Sequence, residues 1–316
     1  MDGSFLVSDF FEDRILRYAR DGTLSQMYGG VGEGPGEFLD LGPAFILNDT
    51  VVVGVDDQRR LLQMFRRADG SVLGSQPYRG RVGASGYSQV GQSVVFPSRE
   101  LRGLTSVAIW SIPDQQIDYV VPLPDEYVRS AIRPDGFVGQ FAAFQSLGNS
   151  VAWEDTILSG MSGLNSVFVS TWDGITFDTL RPPAVRRRGV PEDIQQRMDA
   201  NDLPEGPFEI SSGLLGLYRL SDGAIVLFHH DATLEGEQPH GTITADIYLS
   251  VIAPDLSSAC VDGLVPHFKS MRAIHTVVRD TVFLLDRRVN EEEERLDSWI
   301  RMYRIDTSRC SWLQME

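Results

Sequence analysis

The chain has 316 residues, of which 42% are hydrophobic, and it carries a net charge of −16 with a pI near 4.7. Nucleic-acid binding needs lysine and arginine to displace counterions, and anionic lipid attracts the same positive charge, so this composition argues against both partners. No stretch reaches the roughly 18 apolar residues of a membrane-spanning helix, and no signal peptide is visible.

The first predicted elements lie in residues 2–38. Residues 2–10, DGSFLVSDF, and 14–30, RILRYARDGTLSQMYGG, predict a strand followed by a hairpin, because Asp-Gly between two apolar runs favours a tight turn. Residues 29–38, GGVGEGPGEF, match the spacing of neither a dinucleotide fingerprint nor a phosphate loop. We expect this stretch to connect the outer strand of one sheet to the inner strand of the next, with Phe38 packing between the sheets.

The same pattern returns further along the chain. Residues 60–76 and 166–180 repeat the hairpin, and the turn glycines Gly22 and Gly70 lie 48 residues apart. A period of about 52 residues divides the chain into roughly six units, each the size of a four-stranded propeller blade. Further strands of these types follow at residues 48–57, 221–231, 245–255, 279–288 and 298–306.

Residues 2–38 resemble an NHL-type repeat of six-bladed β-propellers, in which a strand ending in V-x-D leads to R-I-x-x-F/Y, D-G and a glycine-rich crossing. The match is close in the first repeat, recognisable in the second and weaker in the others. The resemblance to NHL-type and TolB-like propellers implies an all-β fold of six four-stranded antiparallel blades. Such propellers include binding modules, lactonases and lyases, so the fold alone assigns no activity.

The expected organisation is a single domain with one short helix in an insertion at residues 183–207. Pro191 is expected at the first helical position, with Glu192 and Asp193 in the first turn, where the helix dipole favours acidic residues. The predicted blades span residues 1–38, 39–80, 81–124, 125–182, 208–266 and 267–316.

The first predicted blade begins at its second strand and is therefore one strand short. An unpaired edge in a ring of blades is costly, and three explanations stay open. An upstream strand has been lost through processing or a misassigned start, a partner donates a strand, or water covers the edge. Residues 310–316 can form the outer strand of the sixth blade or close the ring, but not both.

The two cysteines give an independent expectation. Cys260 and Cys310 lie at the starts of the predicted fourth strands of blades five and six. Outer strands of neighbouring blades diverge, so the Cα atoms should lie beyond the roughly 7 Å limit for a disulfide. We therefore predict no disulfide between them.

Three insertions, at residues 181–209, 229–244 and 287–297, are expected on one face of the propeller. Loops of this kind carry most binding residues, so this face is the expected docking surface for a protein partner. The candidate partner-binding residues are two charged clusters and one histidine: Arg186, Arg187, Arg188, Glu291, Glu292, Glu293 and His240.

A metal or catalytic site is the alternative. His229, His240 and His275 are weak candidates for zinc ligands, and His275 and His229 are the first candidates for catalysis. A calcium site like that of propeller lactonases would need Glu, Asn and Asp side chains that converge at the channel mouth. Aspartates recur at the ends of second strands, where a repeated turn bond is more typical than catalysis: Asp9, Asp56, Asp231 and Asp286.

The sequence shows no G-x-S-x-G elbow, and no metal set or phosphate loop stands out. It therefore favours a non-enzymatic recognition or scaffold subunit without a cofactor, docked on a larger extracytoplasmic or membrane-bound assembly. The alternative function is a lactonase-like hydrolase or lyase that uses zinc or calcium at the mouth of the propeller channel.

Overall fold

The structure is a computed structural model that describes residues 3–83, 86–100, 104–125, 148–183, 191–200, 208–235, 242–269, 275–290 and 295–315. The fold is an all-β, six-bladed propeller, as predicted, with one α-helix in the described residues. The chain divides into two compact units, Met1–Pro122 with Ala152–Glu154, and Leu123–Val151 with Asp155–Glu316. Across the described ranges, no helix has the length and apolar character needed to cross a bilayer.

The first unit contains three antiparallel sheets. Blade 1 has three strands: β1 (Phe5–Asp9), β2 (Arg14–Tyr18) and β3 (Leu24–Gly29). Blade 2 has four: β4 (Leu41–Leu47), β5 (Val51–Asp56), β6 (Leu61–Arg66) and β7 (Val72–Pro77). Blade 3 has five: β8 (Arg81–Val82), β9 (Ser88–Val90), β10 (Ser93–Glu100), β11 (Thr105–Ser111) and β12 (Gln116–Pro122). Because β8 and β9 pair with different parts of β10, they act together as one interrupted strand.

Three more sheets complete the fold. Blade 4 has β13 (Gly148–Trp153), β14 (Thr156–Met161), β15 (Val167–Thr171) and β16 (Thr176–Leu180). The predicted helix, α1 (Glu192–Asp199), follows it and has Glu192 and Asp193 in its first turn as expected, but it begins one residue after Pro191 rather than at Pro191. Blade 5 begins with β17 (Phe208–Arg219), β18 (Ile225–Glu235), β19 (Thr242–Ile252) and β20 (Ser258–Lys269). Blade 6 has β21 (His275–Val278), β22 (Thr281–Asn290) and β23 (Arg295–Arg304), followed by a short 3₁₀ helix (Thr307–Arg309) and the strand β24 (Leu313–Gln314).

The predicted Asp-Gly turns are confirmed. Gly22, Gly70 and Gly174 have φ values of 86°, 74° and 83°, which glycine adopts without steric cost. In two of these turns the preceding aspartate stabilises the chain reversal: Asp21 Oδ1 accepts from the N–H of Thr23 at 3.0 Å, and Asp69 Oδ1 accepts from the N–H of Ser71 at 3.0 Å. The bond from the Thr23 N–H holds the pKa of the Asp21 carboxyl below its usual value. The Ser71 hydroxyl, which donates to Asp69 Oδ1 at 2.7 Å, and then the Ser71 N–H do the same for the pKa of Asp69.

The glycine-rich stretch connects blade 1 to blade 2, as predicted. Phe38 is fully buried and packs against Ile15 and Tyr28 of blade 1 and Val52 and Phe65 of blade 2. A side chain on Gly29 would overlap the Phe38 ring, so the close approach requires glycine at that position, where φ is 76°.

The disulfide prediction is wrong. Cys260 and Cys310 form a disulfide, with their Cα atoms 5.4 Å apart. The chain after β23 does not add an outer strand to blade 6. Instead β24 pairs with β20, with Leu313 opposite Ala259, and becomes the fifth strand of blade 5. This path brings Cys310 to the same sheet edge as Cys260, and it also differs from both courses expected for residues 310–316.

Candidate functional site

Two of the predicted site residues, His229 and His275, lie in the described part of the second unit. The remaining ones lie outside the described residues: Arg186, Arg187, Arg188, His240, Glu291, Glu292 and Glu293.

His229 is a buried residue of β18. Its Nε2 atom lies 2.9 Å from Oδ1 of Asp262 on β20, and its ring stacks on Tyr248 of β19 with the ring centroids 5.7 Å apart. Asp262 adopts a φ of 56°, and its N–H donates to Ser250 Oγ at 3.0 Å. This cluster links the second and fourth strands of blade 5 across the third, and the imidazole does not face solvent.

His275 is the first residue of β21 in blade 6. Its side chain packs on blade 5, on the face of that sheet opposite to His229. Its ring stacks on Phe228 with centroids 3.9 Å apart and meets Tyr218 edge-on. Phe228 and His229 are neighbours on one strand, so their side chains point to opposite faces of the sheet. The structure therefore does not bring His229 and His275 together. Within the ranges described, no group of three or more His, Cys, Asp or Glu side chains could hold a metal ion.

The recurring aspartates make turn bonds in blades 1 and 2. Asp9 Oδ1 accepts from the N–H of Phe11 at 3.3 Å, and Asp9 Oδ2 accepts from Nε of Arg14 at 3.2 Å. The buried Asp56 accepts from both the N–H and Nε of Arg59, at 2.8 Å each. Asp231 differs, since it accepts from the Ser212 hydroxyl at 2.7 Å. The side chain of Asp286 is not among those that the structure describes.

Arg59 fixes the shape of the glycine-rich loop. Asp56 orients the guanidinium, which then donates to the Glu33 carbonyl at 2.7 Å and also to the Glu37 carbonyl. Inside the loop, the N–H of Gly34 donates to the Glu37 carboxylate at 2.7 Å. The loop is therefore held in one conformation by charge-assisted hydrogen bonds.

This fixed loop and the neighbouring turn expose large apolar side chains at one end of blade 1. Phe10 and Phe11, in the turn between β1 and β2, are 50% and 85% exposed, and Val31 at the start of the loop is 66% exposed. We call Phe10, Phe11 and Val31 the apolar loop surface. Sequence reasoning missed it, although two adjacent phenylalanines between a strand end and a turn were visible as a signal.

A cavity of about 590 Å³ lies beside the turn between β4 and β5, at the end of blade 2 away from the glycine-rich loop. Arg67 is largely buried there, and its Nη2 donates to Ser4 Oγ at 2.9 Å while Nε of Arg17 donates to the same oxygen at 3.2 Å. Arg67 also donates to the Asp49 carbonyl at 3.0 Å, and Arg17 donates to the Arg67 carbonyl at 3.3 Å. These bonds satisfy loop carbonyls, which is a structural role.

Comparisons with known proteins bear on the fold of the chain alone. No family model and no curated protein sequence matches it. Among solved structures, it is similar to a member of the duf4221 family from Bacteroides vulgatus, with 9% identity, a TM-score of 0.57, and coverage of 96% of this chain and 90% of that one. It is also similar to a candidate exported protein from Bacteroides fragilis, with 11% identity, a TM-score of 0.51, and coverage of 90% and 77%.

A virginiamycin B lyase from Staphylococcus aureus also matches, with 10% identity, a TM-score of 0.48, and coverage of 90% of this chain and 88% of that one. Identities this low show the fold alone. Its sheet arrangement is that of a β-propeller, and the resemblance of residues 2–38 to NHL-type repeats stays a prediction.

Proposed function

We propose that this propeller is a non-enzymatic protein-recognition module that docks on a larger assembly through its apolar loop surface. The observation that carries the proposal is the 85% exposure of Phe11, beside the half-exposed Phe10 and the exposed Val31. Aromatic side chains on a fixed backbone are typical anchors of protein interfaces, because they bury large area at low entropic cost.

The charge around the apolar loop surface indicates the kind of partner. Glu12, Glu33, Glu37 and Asp40 are exposed beside it. Because complementary charge at the rim of an interface speeds association, the expected partner offers an apolar pocket with a basic rim. Added salt should therefore slow association more than it speeds dissociation.

The experiment is a pull-down from the native source with the wild-type chain and a Phe10→Ser/Phe11→Ser variant. The matched control is Ile175→Ser/Phe177→Ser, which removes two apolar residues of blade 4 that are 62% and 61% exposed. We expect a stoichiometric partner with the wild type and the control, and a loss of at least about 30-fold in affinity for the Phe variant once the partner is purified.

Two outcomes would overturn the proposal. One is equal capture by the Phe variant and the control. The other is no partner together with one tightly held zinc or calcium ion in the purified chain, which would favour the lactonase-like alternative.

The proposed compartment is extracytoplasmic. The Cys260–Cys310 disulfide supports it, because disulfides persist in oxidising compartments and are rare in the cytosol. Thiol titration of the denatured protein from its native source should find no reactive thiol without reductant and two with it. Two thiols before reduction would contradict this assignment.

A further inference from the structure

Residues 306–315, which we call the return segment, run from blade 6 back to blade 5. The chain just before the segment is anchored in blade 6, because the N–H of Ile305 donates to the Asp280 carbonyl at 2.8 Å and the Ile305 side chain packs against a buried cluster that includes Val226. The segment itself has no buried residue, and its two largest apolar side chains, Trp312 and Leu313, are 40% and 41% exposed. Side-chain packing therefore contributes little to its attachment.

Few backbone hydrogen bonds join the return segment to blade 5. Those of its 3₁₀ turn stay inside the segment, where Asp306 Oδ1 accepts from the N–H and the hydroxyl of Ser308 at 3.0 and 2.6 Å. Attachment comes from the two register pairs between β24 and β20 and from the N–H of Met315, which donates to the Ser257 carbonyl at 2.9 Å. A pairing this short gains little against the entropy lost in ordering the chain, so the Cys260–Cys310 disulfide is the main attachment.

The return segment covers the outer edge of blade 5. Leu313 lies opposite Ala259 and Gln314 opposite Ser258, and these two residues of β20 are 0% and 8% exposed. By contrast β7, the outer strand of blade 2, has no buried residue. The buried start of β20 thus coincides with the residues that β24 pairs with.

The disulfide is accessible to a reductant, because Cys260 and Cys310 are half-buried at this sheet edge. A thiolate of a dithiol reductant attacks one sulfur, breaks the S–S bond and forms a mixed disulfide, which the second thiolate of the reductant then resolves. The reductant loses two electrons and becomes a disulfide. The two cysteines gain these electrons and two protons and become thiols.

We propose that the Cys260–Cys310 bond is a redox-controlled clasp, whose reduction by a dithiol releases the return segment and uncovers the edge of β20 while blades 5 and 6 stay folded. The blades stay folded because their shared core is not covalent: Phe228 of blade 5 packs in one buried cluster with Val282 and Leu284 of blade 6. The clasp does not involve the apolar loop surface, so it can fail without affecting the proposed function, and the reverse also holds.

Amide hydrogen exchange of the chain of residues 1–316, with and without a dithiol, tests the clasp. Met315 reports release, because its N–H is bonded to blade 5, and Ile305 is the internal control, because its N–H is bonded within blade 6. On reduction we expect Met315 to exchange at least about tenfold faster and Ile305 to stay within about twofold. Trypsin should also cut after the exposed Arg309 at least about tenfold faster.

Two variants separate the disulfide from the packing of the segment. Cys260→Ser/Cys310→Ser should match the reduced wild type both with and without the dithiol. Trp312→Ser is the matched control, since it removes the largest apolar side chain of the segment but keeps the disulfide. Without the dithiol its Met315 exchange should stay within about threefold of the wild type. Reduction of the folded wild type decides the matter if the double variant does not fold.

Four results would overturn the proposal. Unchanged exchange at Met315 after reduction would mean that the segment stays attached without the disulfide, and equal acceleration at Met315 and Ile305 would mean that reduction loosens the whole fold. An effect of Trp312→Ser as large as that of reduction would assign the attachment to packing. A disulfide that the dithiol does not reduce in the folded chain would exclude a redox-controlled clasp.

Discussion

Blades 1 and 2 follow nearly the same pattern of strand, turn and hairpin, yet they reach different degrees of burial. Blade 2 has four strands, and its β5 is buried from Val52 to Asp56, while blade 1 has three strands and its β1 is half-buried throughout. Phe5 of β1 lies opposite Tyr18 of β2 as Val52 of β5 lies opposite Phe65 of β6, so β1 corresponds to β5 and β2 to β6. The repeat pattern thus determines where strands form, whereas burial depends on which strands cover the sheet edges.

The largest difference in lost stability is expected between alanine substitutions of Phe65 and of its counterpart Tyr18. Phe65 is almost fully buried, with the rings of Tyr28 and Phe38 each 5.9 Å away, whereas Tyr18 is half-buried. Phe65→Ala should lower the free energy of unfolding by about 3–5 kcal/mol because it leaves a cavity. Tyr18→Ala should cost about 1 kcal/mol. Urea unfolding measures both, and equal losses would mean that the two blades are equally packed.

A smaller difference in lost stability is expected between alanine substitutions of Asp56 and of Asp9. Asp56 is buried and accepts three hydrogen bonds, two from Arg59 and one from the N–H of Leu39 at 3.1 Å. Asp56→Ala should cost about 3 kcal/mol, because it leaves the partners of a buried ion pair unsatisfied. Asp9→Ala removes a partly exposed pair with Arg14 and should cost less than about 1 kcal/mol. The exposed pair of Arg66 and Asp69 provides the control, since Asp69→Ala should resemble Asp9→Ala in thermal unfolding.

The smallest expected effect is a change in folding stability with pH. Asp57 in blade 2 corresponds to Phe10 in blade 1, and burial raises the pKa of the Asp57 carboxyl above 3.8, partly opposed by the hydrogen bond from Tyr78 and by Arg60. The folded state then holds this proton to a higher pH than the unfolded chain does. Asp57 therefore lowers stability as pH rises from 3.8 through the raised pKa.

Asp57→Asn removes this titration while keeping an acceptor for Tyr78. The variant should gain stability relative to the wild type as pH rises from about 4 to 7, measured as the difference in melting temperature. A difference that stays constant over this interval would show that the Asp57 carboxyl is not perturbed by burial.

The strands, turns and glycine crossing could be predicted from sequence because local chemistry determines them. Asp-Gly pairs favour positive φ, and a phenylalanine at the end of a glycine-rich crossing between two sheets is expected to pack between them. Gly22, Gly70 and Phe38 behave as this reasoning predicts. The helix after Pro191 is a further example, since proline and two acidic residues favour a helix start.

The disulfide could not be predicted in this way, and the exposed surface left only one signal, the two adjacent phenylalanines at a turn. Cys310 meets Cys260 because the last strand pairs with blade 5, and a two-residue pairing at Leu313 and Gln314 leaves no periodic signal. The exposure of Phe10 and Phe11 depends on where a turn projects from its sheet. Composition alone places phenylalanine in the core, and only the register of β1 against β2 places these two outside it.

Amide hydrogen exchange measures most directly whether the inner edge of β1 is less protected than that of β5, since the described residues of blade 1 include no counterpart of β4. The N–H of Asp57 donates to the Asp40 carbonyl at 2.9 Å. Because backbone groups alternate along a strand, Val53 and Val55 direct theirs toward β4, and the corresponding Leu6 and Ser8 direct theirs toward the inner edge of β1. We expect Val53 and Val55 to exchange only on unfolding, and Leu6 and Ser8 to exchange at least a hundredfold faster. Equal protection at the four positions would contradict the account.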